Sequence, residues 1–492
     1  MASSHRSPLA WSYASTVSTT LLQVVAAATI TRFVLPAEYG LVALALLCCR
    51  FASYVSQFGM NRAIIQKPDL SEGNIRAAFT LSMLFSLAAC CVVSAFSPLF
   101  SYFFHEPRLT AVLIVLSLNF VFQGATLVSG GLLRRALKMR QLAIADTASY
   151  LISTFAIGLP MAVNGYGAWA VIAGIVTQPL IAALLYYQSC PHTLKPTLQR
   201  SNYEQIVGFG GKATATSIVE GIGGSMDTLM LGRFSSAFNV GIYSRSFLLI
   251  QLPVQNLSNG LTQVLFTRFS RASAQGATDA YEFLVRCQRM FLAILFPLCA
   301  GGAAAASCIV LSLYGSKWQS AVPIYAILCL TAAADASFHL PAIQMEALGR
   351  FRHKMIVQLL YMLCAAVGVL LSIPHGLVMV AATLAGLQLC RSLGLHYYTA
   401  MYLEHSFMRL LACWIPGVAA AVVVGVSIHE VAGILQAHSG FSVAAQLILC
   451  LLTGLGVSAT FYALFYRTTV FDPLLGMLHI GSVKHPVAEI VT

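Results

Sequence analysis

Eight ionisable side chains lie inside stretches that are otherwise strongly apolar: Arg50, Lys212, Glu220, Asp227, Arg245, Asp335, Glu346 and Arg391. A charge at bilayer depth costs about 2.5–3.5 kcal/mol on insertion scales, so such groups face a partner or a water-filled cavity. Arginine presents a planar fork that holds two oxygens at once and keeps its charge at any physiological pH. Arg50 and Arg245, with Lys212 and Arg391, therefore suit an anionic ligand, and a pyrophosphate has the right chemistry. The bland alternative is that each arginine neutralises a buried acid, Arg245 with Asp227 for instance. Lys212 and Arg391 lie near the ends of their runs, where a long side chain can snorkel to the interface. Glu220 and Asp227 are seven residues apart and share a helix face. With Asp335 they are candidates for a coupling cation or proton, against the alternative of a structural ion pair. Glu346 falls towards the interface.

Other chemistries find little support. Gly208-Phe209-Gly210-Gly211-Lys212 matches a phosphate-binding loop only in composition, so ATP hydrolysis by this chain is not expected. Thirteen cysteines are scattered through apolar runs without a CxxC or a Cys/His cluster, and read as reduced, small hydrophobes. No resident cofactor or metal is expected, beyond sodium or protons as coupling ions.

The elements that carry these residues follow from composition. Of 492 residues only 9% are charged and 58% are hydrophobic. A soluble domain averages about a quarter charged residues. So few charges cannot cover so much apolar surface in water, and the chain reads as an all-α polytopic membrane protein. Fourteen candidate spans lie near 11–31, 39–60, 77–97, 109–130, 142–163, 166–187, 206–230, 238–262, 290–311, 321–346, 355–373, 376–398, 410–429 and 442–465. Asn164-Gly165-Tyr166-Gly167 and Pro374-His375-Gly376 are the turns that split the two closest pairs.

Loop charges set the orientation. With the N-terminus in the cytoplasm, 20 Lys and Arg fall in cytoplasmic segments and 4 (Arg32, Arg108, Arg233 and Lys317) in outer ones. This alternation supports an even number of spans with both ends inside. The net charge of +12 is thus a topology signal, with no soluble basic face for nucleic acid. The outer loops are too short for a catalytic domain, and the longest cytoplasmic one, 268–289, has room only for a short amphipathic helix.

An internal repeat is visible. Arg32-Phe33 followed by Gly40 matches Arg233-Phe234 followed by Gly241 at an offset of 201, at the outer loops between spans 1 and 2 and between spans 7 and 8. Six spans separate the copies, so both have one orientation. Residues 1–190 and 206–400 are expected to form six-helix lobes, with a helix pair at 410–466 and a cytoplasmic tail at 467–492. Spans 1, 2, 7 and 8 hold the polar residues: Ser12, Ser15, Thr16 and Gln23 in the first, Gln251, Gln255, Asn256 and Asn259 in the eighth. A hydrophilic cavity between the lobes, with substrate at the repeat interface, is the transporter arrangement this suggests.

Several segments, taken in order, resemble bacterial polysaccharide flippases of the Wzx type, in the multidrug/oligosaccharidyl-lipid/polysaccharide exporter superfamily. They are Thr31-Arg32-Phe33 with Pro36-Ala37-Glu38-Tyr39-Gly40, Phe58-Gly59-Met60 with Ala63-Ile64-Ile65-Gln66-Lys67, and Leu132 to Arg140. Gly165-Tyr166-Gly167-Ala168-Trp169, Asp227 to Arg233, Gly241-Ile242-Tyr243-Ser244-Arg245 and Leu313 to Trp318 continue the series. The resemblance implies two six-helix lobes plus two helices, and translocation of undecaprenyl-pyrophosphate-linked oligosaccharide repeat units across the bacterial inner membrane by alternating access. It implies a lipid-linked oligosaccharide and membrane lipids as partners, with a polysaccharide polymerase and export machinery nearby. The related lipid II flippase has cavity arginines on spans 1, 2 and 8. Arg50 and Arg245 resemble the second and third of these, and the first has no counterpart here. Asp227 resembles a span 7 sodium ligand, whereas spans 11 and 12 lack an Asp or Asn to complete that site. The rival readings are a cation-coupled drug antiporter of the same fold, a membrane polysaccharide polymerase and a non-transporting scaffold.

Overall fold

A computed structural model of the chain describes the backbone of residues 8–57, 64, 71–197, 224–437 and 443–467, and the side chains of most of them. The long elements among the described residues are all helices. In the first half these are α1 (Pro8–Ile30), α2 (Pro36–Gln57), α3 (Glu72–Phe104), α4 (Leu109–Arg135), α5 (Met139–Val163) and α6 (Ala168–Ser189). The second half carries α7 (Met226–Phe234), α8 (Ala237–Gln275), α9 (Ala277–Ala304), α10 (Ala306–Tyr314), α11 (Ala321–Ala347), α12 (Phe351–Ser372) and α13 (Leu377–Tyr402). It ends with α14 (Phe407–Ala412), α15 (Ile415–Ala437) and α16 (Val443–Phe465). Ten helical stretches among the described residues are long and apolar enough to cross a membrane. They match the expected spans 3–6 and 9–14; of the other four, 39–60 and 206–230 lie partly outside the described residues, and in 11–31 and 238–262 only the backbone of some residues is described.

Local signals place several helix ends. Ser71 caps α3: its hydroxyl accepts from the Asn74 amide at 3.2 Å while the Asn74 side chain accepts from the Ser71 N–H. Such a reciprocal cap satisfies two of the amides a helix start leaves open. Gly165 (φ +82°) and Gly167 (φ +55°) turn the chain between α5 and α6, at backbone angles that other residues rarely adopt.

Three local features depart from expectation. The 268–289 segment contains no separate amphipathic helix, because α8 and α9 run on until they meet at Gly276. The span expected at 290–311 is interrupted at Ala305, just past Gly301-Gly302, a pair of weak helix formers. Within α5 the backbone widens to a π-helical turn over Ile152–Gly158. Pro160 follows closely, and its missing N–H leaves the carbonyl four residues earlier, inside that turn, without its usual donor.

The described chain forms two packed units. One comprises residues up to Arg245 together with Leu313–Trp318 and Val369–Ile373. In it α3 packs along α4 and α4 against α6. Ile64, Ala77, Ala78 and Val128 form one apolar centre, and Leu133, Leu142, Ala145 and Tyr186 another. The other unit holds Ser246–Ser312, Gln319–Gly368 and the chain from Pro374. There α9 packs on α11 and α15, α11 on α13, and α15 on α16. Phe338, Ala342, Met345 and Leu395 join α11 to α13, and the Tyr462 hydroxyl of α16 donates to the Ala293 carbonyl of α9 at 2.6 Å.

Candidate functional site

In the first unit, α8 carries Arg245 onto an aromatic surface. Its guanidinium carbon lies 3.9 Å from the centre of the Tyr39 ring on α2. Tyr39 is fixed from both sides. Its hydroxyl accepts a hydrogen bond from Thr31 Oγ1 at 3.1 Å, and its ring meets Trp318 edge-on at 5.7 Å. Trp318 is fully buried and donates through Nε1 to the Thr31 carbonyl at 3.1 Å. Tyr314 packs against Trp318 at 5.2 Å, and its hydroxyl donates to the Arg245 carbonyl at 3.3 Å.

Arg245 forms no ion pair with a carboxylate among the described residues, and its Nε is buried without a partner there. The Arg245–Asp227 pair considered from sequence does not form in this structure. Asp227 Oδ2 accepts from the Tyr243 hydroxyl at 2.7 Å, and Oδ1 accepts from the Thr228 amide at 2.7 Å. An arginine resting on an aromatic face keeps both its charge and most of its donors for a ligand.

Arg50 lies further along α2. It is exposed, and its Nη1 donates to the buried Ser225 hydroxyl at 2.8 Å, immediately before α7. Tyr39 and Arg50 are eleven residues apart on one continuous helix, about 16 Å along its axis. The Arg245 guanidinium stacked on Tyr39 and the Arg50 side chain thus occupy two levels along α2.

In the second unit Arg391 of α13 pairs with Asp335 of α11, and Gln388 donates to the same carboxylate oxygen. Arg391 Nη1 also donates to Gln358 Oε1 of α12 at 2.8 Å, and its guanidinium lies over Phe338 at 4.0 Å and Tyr361 at 4.8 Å. With a side chain only 8% exposed, Arg391 is committed to tying three helices together. Glu346 pairs with Lys354 at 2.5 Å. Lys212 and Glu220 lie outside the described residues.

Sequence reasoning missed the aromatic bed of Arg245. The signal was present, since Tyr39, Tyr314 and Trp318 stand in the very outer-loop segments singled out for their order, but nothing local says that they meet. It also missed a buried polar group in the second unit. Gln288 Nε2 donates to the Ser337 carbonyl at 3.0 Å and lies 3.1 Å from His396 Nε2, and the Ser337 and Ser392 hydroxyls are 2.5 Å apart.

The fold has solved counterparts. A structure of the lipid II flippase MurJ in an inward closed conformation superposes with a TM-score of 0.71 over 93% of this chain and 99% of that one, at 13% identity. An inward-facing multidrug resistance MATE family transporter gives 0.61 over 80% of this chain and 95% of that one, at 11% identity. In sequence, the teichuronic acid biosynthesis protein TuaB of Bacillus subtilis is 23% identical over 65% of this chain and 66% of its own length. The lipopolysaccharide biosynthesis protein WzxC of Escherichia coli is 24% identical over 65% of each chain. The succinoglycan biosynthesis transport protein ExoT of Rhizobium meliloti is 21% identical over the same shares. The matched region thus spans about two thirds of these curated relatives. Residues 29–323, more than half the chain and including α2, the Tyr39–Arg245 contact and Trp318, match the family described as polysaccharide biosynthesis protein, and the chain belongs to that family.

Proposed function

We propose that this protein moves a lipid-linked oligosaccharide from the inner to the outer leaflet of the bacterial cytoplasmic membrane, with both chain ends in the cytoplasm. The observation that carries this reading is an arginine stacked on the Tyr39 ring without a carboxylate partner among the described residues. Such a group is positioned for a diphosphate, the anionic junction of sugar and polyprenyl carrier. Arg50 takes the diphosphate first from the cytoplasmic side, and Arg245 takes it one level further out. The sugars travel with it through the polar space along spans 1 and 7, while the lipid tail stays in the bilayer. The two-lobe repeat supports alternating access. No chemistry is done on the substrate, so the protein is a transporter rather than an enzyme. Asp227, held by a tyrosine and a backbone amide with no arginine partner among the described residues, is a carboxylate suited to take a coupling sodium ion or proton.

The test is the leaflet on which completed lipid-linked units lie in a host lacking the protein, read with a membrane-impermeant glycan probe on spheroplasts. Units trapped inside, and returned to the outer face by the intact chain but not by Arg50→Ala or Arg245→Ala at equal abundance, support the proposal. Units that reach the outer leaflet without the protein refute it. An unchanged polysaccharide with altered drug tolerance would instead favour an antiporter.

A further inference from the structure

The two copies of the internal repeat touch one another through equivalent atoms. Gly40 on α2 and Gly241 on α8 are both buried. A Cβ on Gly40 would fall on the Ala237 carbonyl, and a Cβ on Gly241 would fall on the Pro36 carbonyl and lie 2.9 Å from the Gly40 nitrogen. Pro36 and Ala237 are the first residues of α2 and α8, and their separation is the repeat offset of 201. Each copy thus presents the same four-residue step to the other. A two-fold axis passing between the two helix starts produces this reciprocity.

The arginines of the repeat behave in the same way. Arg32 Nε donates to the Leu313 carbonyl in the last turn of α10, at 3.4 Å. Arg233 Nη1 donates to the Phe103 carbonyl in the last turn of α3, at 2.9 Å. These turns end the third expected span of the second half and of the first half, so each arginine caps the third span of the opposite copy. Terminal carbonyls lack intrahelical donors and carry the negative end of the helix dipole, which suits a guanidinium. Arg233 also lies 2.6 Å from His105 Nδ1 and over the Phe103 ring.

We infer that the Gly40–Gly241 crossing and the Arg32 and Arg233 caps form a releasable clasp that shuts the outer end of the transport path and must open in each cycle. Two features suit it to release. At the two glycines themselves the contact is backbone against backbone, and both arginine bonds lie at exposed positions where water can replace the lost partner. A side chain at either glycine prevents closure. The placement at the outer face rests on the orientation proposed above.

The test uses the full-length chain in right-side-out and inverted membrane vesicles, with Ser225→Cys as a reporter beside Arg50 and a membrane-impermeant maleimide as probe. Because the chain has thirteen cysteines, the same variants without the reporter supply the background. Gly40→Ala and Gly241→Ala are expected to raise reporter labelling from the outside several-fold. The Arg32→Gln/Arg233→Gln double variant, which alters one exposed and one half-buried side chain, is expected to raise it by a smaller factor and decides the matter if the glycine variants do not reach the membrane. Labelling unchanged at equal abundance overturns the clasp, and a rise confined to inverted vesicles overturns its outer placement. No substrate enters this measurement, so its failure and the failure of the flipping proposal are separable.

Discussion

Replacing Tyr39 with Leu removes the ring face beneath Arg245 while keeping an apolar side chain of useful size. The guanidinium carbon sits 3.9 Å from the ring centre, and the pair is shielded by Trp318 and Tyr314. A desolvated cation–π contact of this type is worth about 2 kcal/mol. If the ring is what holds Arg245 ready for the diphosphate, losing it weakens transfer by roughly 30-fold, since 1.36 kcal/mol is a factor of ten in rate. Tyr39→Phe keeps the face and loses only the hydrogen bond from Thr31 at 3.1 Å, a net effect of about 1 kcal/mol on stability. Phe should therefore transport at close to the native rate, and Leu should not. The assay is initial transfer of a fluorescent or radiolabelled lipid-linked oligosaccharide across proteoliposomes at matched protein content. A Leu variant as active as the native chain would refute the role of the ring. A Phe variant as impaired as Leu would move the role from the ring face to the hydroxyl.

Other outcomes follow from the same structure. Asp335→Asn strands the Arg391 charge, and breaking such a pair costs up to about 3–5 kcal/mol in a dry interior, less here because Asp335 is 38% exposed. Its melting temperature in detergent should fall, and adding Arg391→Gln should restore part of the loss rather than add to it. A double variant with summed losses would show that the two residues are not coupled. His192 follows α6, with Nδ1 3.1 Å from Ser129 Oγ and its ring against Phe79 and Tyr187; burial holds its pKa below the ordinary value of 6.5. Its neutral form is therefore favoured in the fold, and the stability it contributes is present above about pH 6.5 and is lost as pH falls towards the lowered value. His192→Phe should flatten this part of an acid melting profile, and an unaltered profile would remove His192 from it. Tyr462→Phe deletes the 2.6 Å bond to Ala293 and should lower stability by about 1 kcal/mol without changing transport, as read by thermal denaturation beside the flipping assay.

The all-helical membrane class was legible in the sequence because hydropathy is additive along the chain: few charges and long apolar runs admit no other solvent. The turns at Gly165-Gly167 and Gly376 were legible for the same local reason, since residue type dictates accessible backbone angles. The repeat could be read as an offset of 201, and the polar character of spans 1, 2, 7 and 8 as composition. Tertiary structure alone decided which charged groups meet. Arg391 and Asp335 are 56 residues apart, and Arg245, Tyr39 and the Tyr314–Trp318 stretch come together from three separate parts of the chain. Helical periodicity tells which residues share a face, but which faces come together depends on packing across the whole unit. The same holds for Gly40 and Gly241: the sequence shows that they are equivalent, and only the fold shows that they touch.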